Sequence, residues 1–307
     1  GGSDDKRQIC KERGIEYVEL QRTPHAGLQA RSSSSLKAEL SKASDADASK
    51  CDSCGIPTRL DLAGTWIDQP YVSEHYPGWA ITISLEPTFE VRDRCGLSTS
   101  TRNIIKKIWP VKLPKMAPEM LARLVFCFEN NPEREDVHIS GAQDSIGIYY
   151  DNNFWPKKIE NTNDEMTLRF LEDHLVMVPL EPRRPGCSVV EGKNITPAKV
   201  KALADAADAC WSAILAHDLQ AFASAYKASF NAQVAMFPAM VNPVAYGMPC
   251  LEASVEPYIQ KYSAMPGVLA WKMPGAGGGG YLALVVEDAK AFASEHEEAI
   301  ELYIRRQ

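Results

Sequence analysis

The run Arg59-Leu60-Asp61-Leu62-Ala63-Gly64-Thr65-Trp66-Ile67-Asp68-Gln69-Pro70 carries the first decision about the fold. Its first half reads as a strand that Gly64 ends in a tight turn, the turn that glycine makes without steric cost. The turn presents Asp68 two residues after Trp66. A carboxylate held in that way can accept two hydrogen bonds from neighbouring hydroxyls, which is the geometry a sugar site requires. The plain alternative is a surface aspartate in a turn.

Downstream, Trp79, Ile81, Ile83 and Leu85 alternate at period two and read as a half-buried strand. Cys95-Gly96-Leu97-Ser98-Thr99-Ser100-Thr101 then leads into a helix over 103–108, which Pro110 stops. A glycine turn with successive hydroxyls at a helix start gathers backbone N–H groups and the positive end of the helix dipole around an anion. Ordinary hydroxyl capping gives the same residues. Residues 118–129 predict a helix with Leu121, Leu124, Val125 and Phe128 on one face. Ser140-Gly141-Ala142-Gln143-Asp144-Ser145 offers Asp144 as a proton acceptor, or simply a turn.

The second half is richer in helix. Thr196-Pro197 is a helix start, with the hydroxyl at the cap and proline in the first turn. Val200, Leu203, Ala207, Trp211 and Ile214 form one stripe, and Leu219, Phe222 and Tyr226 form the next. Pro274-Gly275-Ala276-Gly277-Gly278-Gly279-Gly280 precedes the apolar strand 281–286, so the glycines point to close backbone approach as much as to a hairpin turn. A helix over 288–303 is expected to close the chain. Strands and helices alternate without βαβ spacing, which predicts an α+β fold.

Further upstream, a short helix and a strand are expected over 7–22, with Gly14 between them, and a capped helix begins after Ser32-Ser33-Ser34-Ser35. The small, polar run 41–50 reads as a linker. The chain has 33 basic and 40 acidic residues, a net charge of −7, which excludes a large basic surface for nucleic acid. No apolar run approaches the ~18–20 residues of a membrane span. The start lacks the apolar core of a signal peptide and an initiator methionine, so a piece of a longer protein is expected. Eight cysteines at irregular spacing (10, 51, 54, 95, 127, 187, 210, 250) fit a reduced, cytoplasmic setting better than a disulfide framework. Cys51-x-x-Cys54 is half of a zinc pattern with no second half.

Taken in order, the four stretches resemble the motifs of the GHMP kinase superfamily, and most of all its heptose-phosphate and fucose kinase branch. Residues 57–70 are similar to "R-x-D-L-A-G-G-W-x-D-x-P", Gly96–Thr101 to the phosphate loop, Gly141–Asp144 to "G-x-Q-D-Q", and Pro274–Gly280 to "G-A-G-G-G-G-F". The resemblance covers about residues 55–307. It implies a two-domain fold, with a phosphate-loop domain over 55–165 and a ferredoxin-like domain over 166–307. It also implies ATP, Mg²⁺ and a sugar or sugar-phosphate acceptor.

By that resemblance Asp144 is the base and Arg59 lies near the transferring phosphoryl group. Asp68, Trp66 and Gln143 hold the sugar. Gly96, Leu97, Ser98, Thr99, Ser100 and Thr101 cradle the nucleotide with Gly275, Gly277, Gly278 and Gly279. Thr99, Ser100 and Glu129 (or Glu133) hold the magnesium ion. Two departures stand out. Only 27 residues separate Asp68 from Gly96, where the family has a longer stretch, and Arg102 stands where a small residue is usual. A degenerate, non-catalytic domain that binds a sugar or nucleotide is therefore the rival reading.

Residues 1–40 carry a second likeness, to the tail of a cytidylyltransferase. Gly2-Ser3-Asp4-Asp5-Lys6, Arg22-Thr23-Pro24 and Ser32–Lys37 are similar to "G-x-D-x-K … P-R-T-x-G-I-S-T-T-x-I-K". That family's H-x-G-H site is absent, and His25 has no second histidine at that spacing. The likeness implies a cytidylyltransferase fused upstream through the linker 41–54, with no nucleotide transfer by this segment itself.

Overall fold

A computed structural model describes residues 3–14, 56–89, 91, 94–110, 113–114, 116–130, 141–149, 162, 164–183, 188–242 and 255–306. The chain divides into two compact units, Gly1–Lys50 and Cys51–Gln307. In the first unit, helix α1 spans Ser3–Glu12, with Gln8 donating to Glu12 one turn on. Gly14 follows in a left-handed conformation. The strand expected after it, the helix after Ser35, the linker and Cys51-x-x-Cys54 lie outside the described residues.

In the second unit, β1 (Thr58–Ala63) pairs antiparallel with β2 (Ile81–Leu85), with Arg59 opposite Ser84 and Asp61 opposite Thr82. Ile81, Ile83 and Leu85 are the buried residues of β2, as their alternation requires. Trp79 falls outside the strand and is exposed. Its carbonyl crosses the Gly64 turn so closely that a Cβ on Gly64 would lie 1.9 Å away, and β1 offers no ladder partner there.

Helix α2 spans Pro70–Ser73. Helix α3 runs Thr99–Ile108, four residues longer at its start than the hydroxyl run suggested. Helix α4 (Pro118–Glu129) packs Leu121, Ala122 and Val125 against Ile105 and Ile56. Its buried arc also takes in Glu129, which leaves Phe128 at the edge and exposed, a correction to the expected face. Helix α5 spans Gln143–Tyr149.

The larger sheet has the order β4 (Val268–Lys272), β5 (Tyr281–Val286), β3 (Leu175–Pro179), β6 (Ile300–Glu301) and is antiparallel throughout. Helix α6 (Glu165–His174), capped by Asp164, runs straight into β3 (Leu175–Pro179). Strand β4 is Val268–Lys272 and β5 is Tyr281–Val286. Both faces of the central pair are covered. Leu175, Met177, Tyr281, Ala283 and Val285 enter one apolar cluster, and Val176, Val178, Leu282, Leu284 and Val286 enter a second. Two long helices supply much of both clusters. They are α7 (Pro197–Ala216), with its Thr196 cap, and α8 (Leu219–Met236), with its Asp218 cap. Cys210 is fully buried in α7 while Trp211 is only half-buried. Helix α9 spans Glu256–Ser263.

The chain does not close in one long helix. Helix α10 is Ala289–Glu295, and β6 (Ile300–Glu301) then pairs with Met177 and Val176 of β3. Ile300, Leu302 and Ile304 alternate with Glu301, Tyr303 and Arg305, a period-two signal that the tertiary pairing uses. The tail continues to β2, where Glu86 N–H donates to Tyr303 and Arg305 N–H donates to Ser84. One segment thus joins β3 of the larger sheet to β2 of the smaller.

Candidate active site

The site is built outward from β1. Arg59 and Asp61 lie two residues apart and share one face of the strand, away from Leu60 and Leu62. Both are fully buried, so each needs charged partners. Arg59 forks between Asp61 and Asp144, and its Nε donates to Ser98 Oγ at 3.0 Å. Asp61 also takes Lys272 from β4, the hydroxyl of Thr65 and the N–H of Gly275 at 2.7 Å. Gln233 holds the other side of that peptide, donating from Nε2 to the Gly275 carbonyl at 3.1 Å.

Burial opposes charge on Arg59, but Asp144 and Asp61 outweigh it and keep the guanidinium firmly protonated. Burial likewise works against the Asp61 carboxylate, yet Lys272 and Arg59 hold it well below the usual carboxylate range. Lys272 is drawn below the usual lysine range by burial, against the pull of Asp61.

Beyond the strand, the Gly64 N–H donates to Ser229 Oγ at 3.0 Å, and the turn carries Trp66 into a left-handed conformation (φ 83°). A bulky residue keeps that backbone only where its surroundings enforce it; here the ring stacks on Phe237 at 4.6 Å. The turn delivers Asp68, whose Oδ2 accepts the Gln143 N–H at 3.2 Å. Gly141 passes so close that a Cβ there would lie 1.7 Å from Asp68 Oδ2. Burial, opposed by the Gln143 N–H and reinforced by Asp144, raises Asp68 to about 6. Three buried polar atoms around this turn have no partner among the described residues: Asp68 Oδ1, Trp66 Nε1 and Gln143 Oε1.

Gly96 and Gly275 meet backbone to backbone. A Cβ on Gly96 would lie 2.2 Å from the Pro274 carbonyl, and one on Gly275 would lie 2.5 Å from the Gly96 carbonyl. The loop before α3 is thereby fixed against the glycine run. The N–H groups of Gly96, Leu97, Ser98, Thr99 and Ser100 donate no hydrogen bond among the described residues.

A cavity of about 160 Å³ opens where these elements converge. Of the residues expected from sequence, Arg59, Trp66, Asp68, Ser100, Glu129, Gln143, Asp144 and Gly275 line it. Gly96, Leu97, Ser98, Thr99, Thr101, Gly277, Gly278 and Gly279 do not. Gly96 and Ser98 lie directly behind it, through their contacts with Gly275, Arg59 and Asp144. Leu97 is in the core, and Thr101 is buried with its hydroxyl on both oxygens of Glu129 at 3.0 Å. Gly277 faces Met240, and Gly278 faces Arg183 and Val189. Glu133 lies outside the described residues. Sequence reading missed Asp61, Lys272 and Gly141 as determinants of the site. The signal for Lys272 is a single lysine in the apolar run Val268-Leu269-Ala270-Trp271-Lys272-Met273.

No group of three or more His, Cys, Asp or Glu side chains that could hold a metal occurs among the described residues. A hard cation bound chiefly by substrate phosphates needs only one or two protein oxygens. Ser100 and Glu129, both on the cavity and with Ser100 Oγ 3.5 Å from Glu129 Oε1, meet that need. No helix among the described residues is long and apolar enough to cross a membrane.

No family model matches the chain, and no curated protein matches its sequence. Solved structures do. A mevalonate kinase is similar with a TM-score of 0.50 and 14% identity, over 81% of this chain and 96% of the other. The Methanococcus jannaschii mevalonate kinase gives 0.48 and 14%, over 81% and 95%. A D-glycero-D-manno-heptose 1-phosphate kinase from Bacteriodes thetaiotaomicron gives 0.42 and 13%, over 81% and 94%. The chain has an α+β fold of the GHMP kinase type.

Proposed function

We propose that this protein is an ATP-dependent kinase of a sugar or sugar phosphate. The observation that carries the reading is the convergence of Asp68, Asp144, Arg59 and Ser100 on one cavity beside a loop whose N–H groups donate no hydrogen bond among the described residues. In this reading the loop before α3 binds phosphate through those N–H groups and the helix start. Asp68 Oδ1 and Gln143 Oε1 accept hydroxyl hydrogen bonds, and Trp66 Nε1 donates one. These are the three buried atoms around the Gly64 turn that have no partner among the described residues.

Asp144 is held through Oδ1 by Arg59 and by Ser98 at 3.2 Å, while its Oδ2 accepts no hydrogen bond among the described residues. That oxygen takes the proton of the acceptor hydroxyl as the phosphoryl group arrives. Arg59, fixed by Asp61, places positive charge beside the reacting atoms. Ser100 and Glu129 would hold Mg²⁺, which supplies charge neutralisation of the phosphates when bound.

The wider proposal divides the unit into a phosphate-loop domain over 55–165 and a ferredoxin-like domain over 166–307. It takes residues 1–40 as the tail of a fused cytidylyltransferase that would use the sugar phosphate, in the cytoplasm. The second reading is a non-catalytic binding domain, and one observation favours it: Thr101 already occupies both oxygens of Glu129.

The test is ADP release from ATP–Mg²⁺ across a panel of free sugars and sugar 1-phosphates. Turnover with at least one acceptor, lost in Asp144→Asn, supports the kinase. Saturable sugar or nucleotide binding without turnover on any acceptor supports the second reading.

A further inference from the structure

Arg183 follows β3, and nothing in the proposed mechanism uses it. Its chain segment lies along the glycine run: Leu180 N–H donates to the Gly280 carbonyl at 2.8 Å, and Gly280 N–H donates to Glu181 at 2.7 Å. Its Cδ sits where a Cβ on Gly278 would be only 2.9 Å away, so the glycine makes room for this side chain. Gly280 in turn lies against the backbone of Cys95, where a Cβ would be 2.3 Å from Cys95 Cα. The arginine therefore stands at the entry to the loop before α3.

Its buried Nε has no hydrogen-bond partner, and no carboxylate pairs with its guanidinium among the described residues. Among the described residues, another arginine adds to the burden. Arg94 donates from Nε to the Arg183 carbonyl at 3.1 Å and adds like charge beside it. Burial, aided by Arg94, lowers Arg183 to about 10. A cation that burial penalises and that has no carboxylate beside it among the described residues is costly. The five N–H groups of residues 96–100 donate no hydrogen bond among the described residues. An anion held between the loop and the arginine would satisfy both.

We propose that Arg183 is an anion-binding residue that, across from the loop 95–98, holds a phosphate group of the ligand. The inference rests on the phosphate-loop reading of that segment but not on catalysis. The chemistry is that of a phosphoryl or pyrophosphoryl group, whether it belongs to a nucleotide or to a sugar phosphate.

The experiment measures binding of inorganic pyrophosphate, ADP and a hexose 1-phosphate by calorimetry, with thermal melts of the ligand-free proteins, for wild type, Arg183→Gln and Arg183→Lys. Affinity for at least one probe is expected to fall roughly ten-fold to a hundred-fold in Arg183→Gln, the cost of losing a charged hydrogen bond. Arg183→Lys should recover part of it. Loss for pyrophosphate and ADP identifies a nucleotide, and loss for the hexose phosphate alone identifies the acceptor. The ligand-free Arg183→Gln protein should melt no lower than wild type, because an unpaired buried charge has gone. Unchanged affinities for all three probes, no binding of any probe to wild type, or a lowered ligand-free melt with binding intact overturns the proposal. The kinase reading fails separately, by absence of turnover in a protein that still binds pyrophosphate through Arg183.

Discussion

Asp68 and Asp144 face one cavity in different electrostatic settings. Asp144 shares Arg59, whereas Asp68 has a backbone N–H and an oxygen with no partner among the described residues. Replacing Asp144 by Asn keeps the side chain's shape, and the remaining ion pair with Asp61 still holds Arg59. Turnover is expected to drop by about 10²–10⁴, the usual contribution of a general base, with ligand affinities little changed; steady-state rates and calorimetry check both. Asp68 titrates in an accessible range. Its pKa is raised to about 6 from 3.8, so protons bind the folded state more tightly than the unfolded one. The burden of its buried charge is complete above about 6 and relieved as pH falls toward 3.8, so the ligand-free protein gains stability over that window. If Asp68 accepts sugar hydroxyls as proposed, sugar binding is expected to weaken over the same fall in pH. Asp68→Asn should flatten both profiles, and melts and binding isotherms taken between pH 4 and 7.5 would show it. A sugar affinity indifferent to pH across that range would remove Asp68 from the site.

At the scale of elements, the decisive contact is between two loops distant in sequence. Gly275 has φ 59°, and a Cβ there would lie 2.5 Å from the Gly96 carbonyl, a backbone atom that cannot turn aside. Gly275→Ala therefore forces the loop before α3 and the glycine run apart. Phosphate or nucleotide binding is expected to fall at least ten-fold, while far-UV circular dichroism keeps the helical signal of α7 and α8. Stability is expected to drop by about 1–3 kcal/mol from backbone strain. The run of hydroxyls and glycines is legible from sequence because each residue type has a local reason to be there. Which of the five glycines meet the loop is not legible, since all share one local preference; Gly275 and Gly280 do. Gly277 and Gly278 open space for Met240 and Arg183 instead.

Across the whole molecule, the Asp61–Lys272 pair ties β1 to β4 over a separation of 211 residues. Breaking a buried pair leaves the other charge stranded. Asp61→Asn is expected to cost about 3–5 kcal/mol in urea unfolding, because Lys272 then has no carboxylate and Arg59 and Gly275 lose theirs. Lys272→Met should cost less, since Arg59 still pairs with Asp61. The sign with acid follows: the Asp61 carboxyl is held below its usual range, so its stabilisation is complete above 3.8 and is lost as pH falls through the folded-state value. A larger loss from Lys272→Met than from Asp61→Asn would contradict this ordering.

Local patterns by themselves determined much of this protein. The strand and turn at 59–68, the alternation of Ile81, Ile83 and Leu85, the capped helix after Thr196 and the buried strand 281–286 follow from periodicity, glycine and capping, which act within a few residues. The order of the four motifs indicated the kinase-type fold. Tertiary structure alone decided that Ile300, Leu302 and Ile304 leave a helix to pair with β3 and β2, because a strand is stabilised by a partner the sequence does not name. It alone made Asp61 and Lys272 the centre of the site. Buried charges find their partners only when β1 and β4 are brought together, and the energy of that pairing resides in distance and desolvation rather than in any local sequence preference.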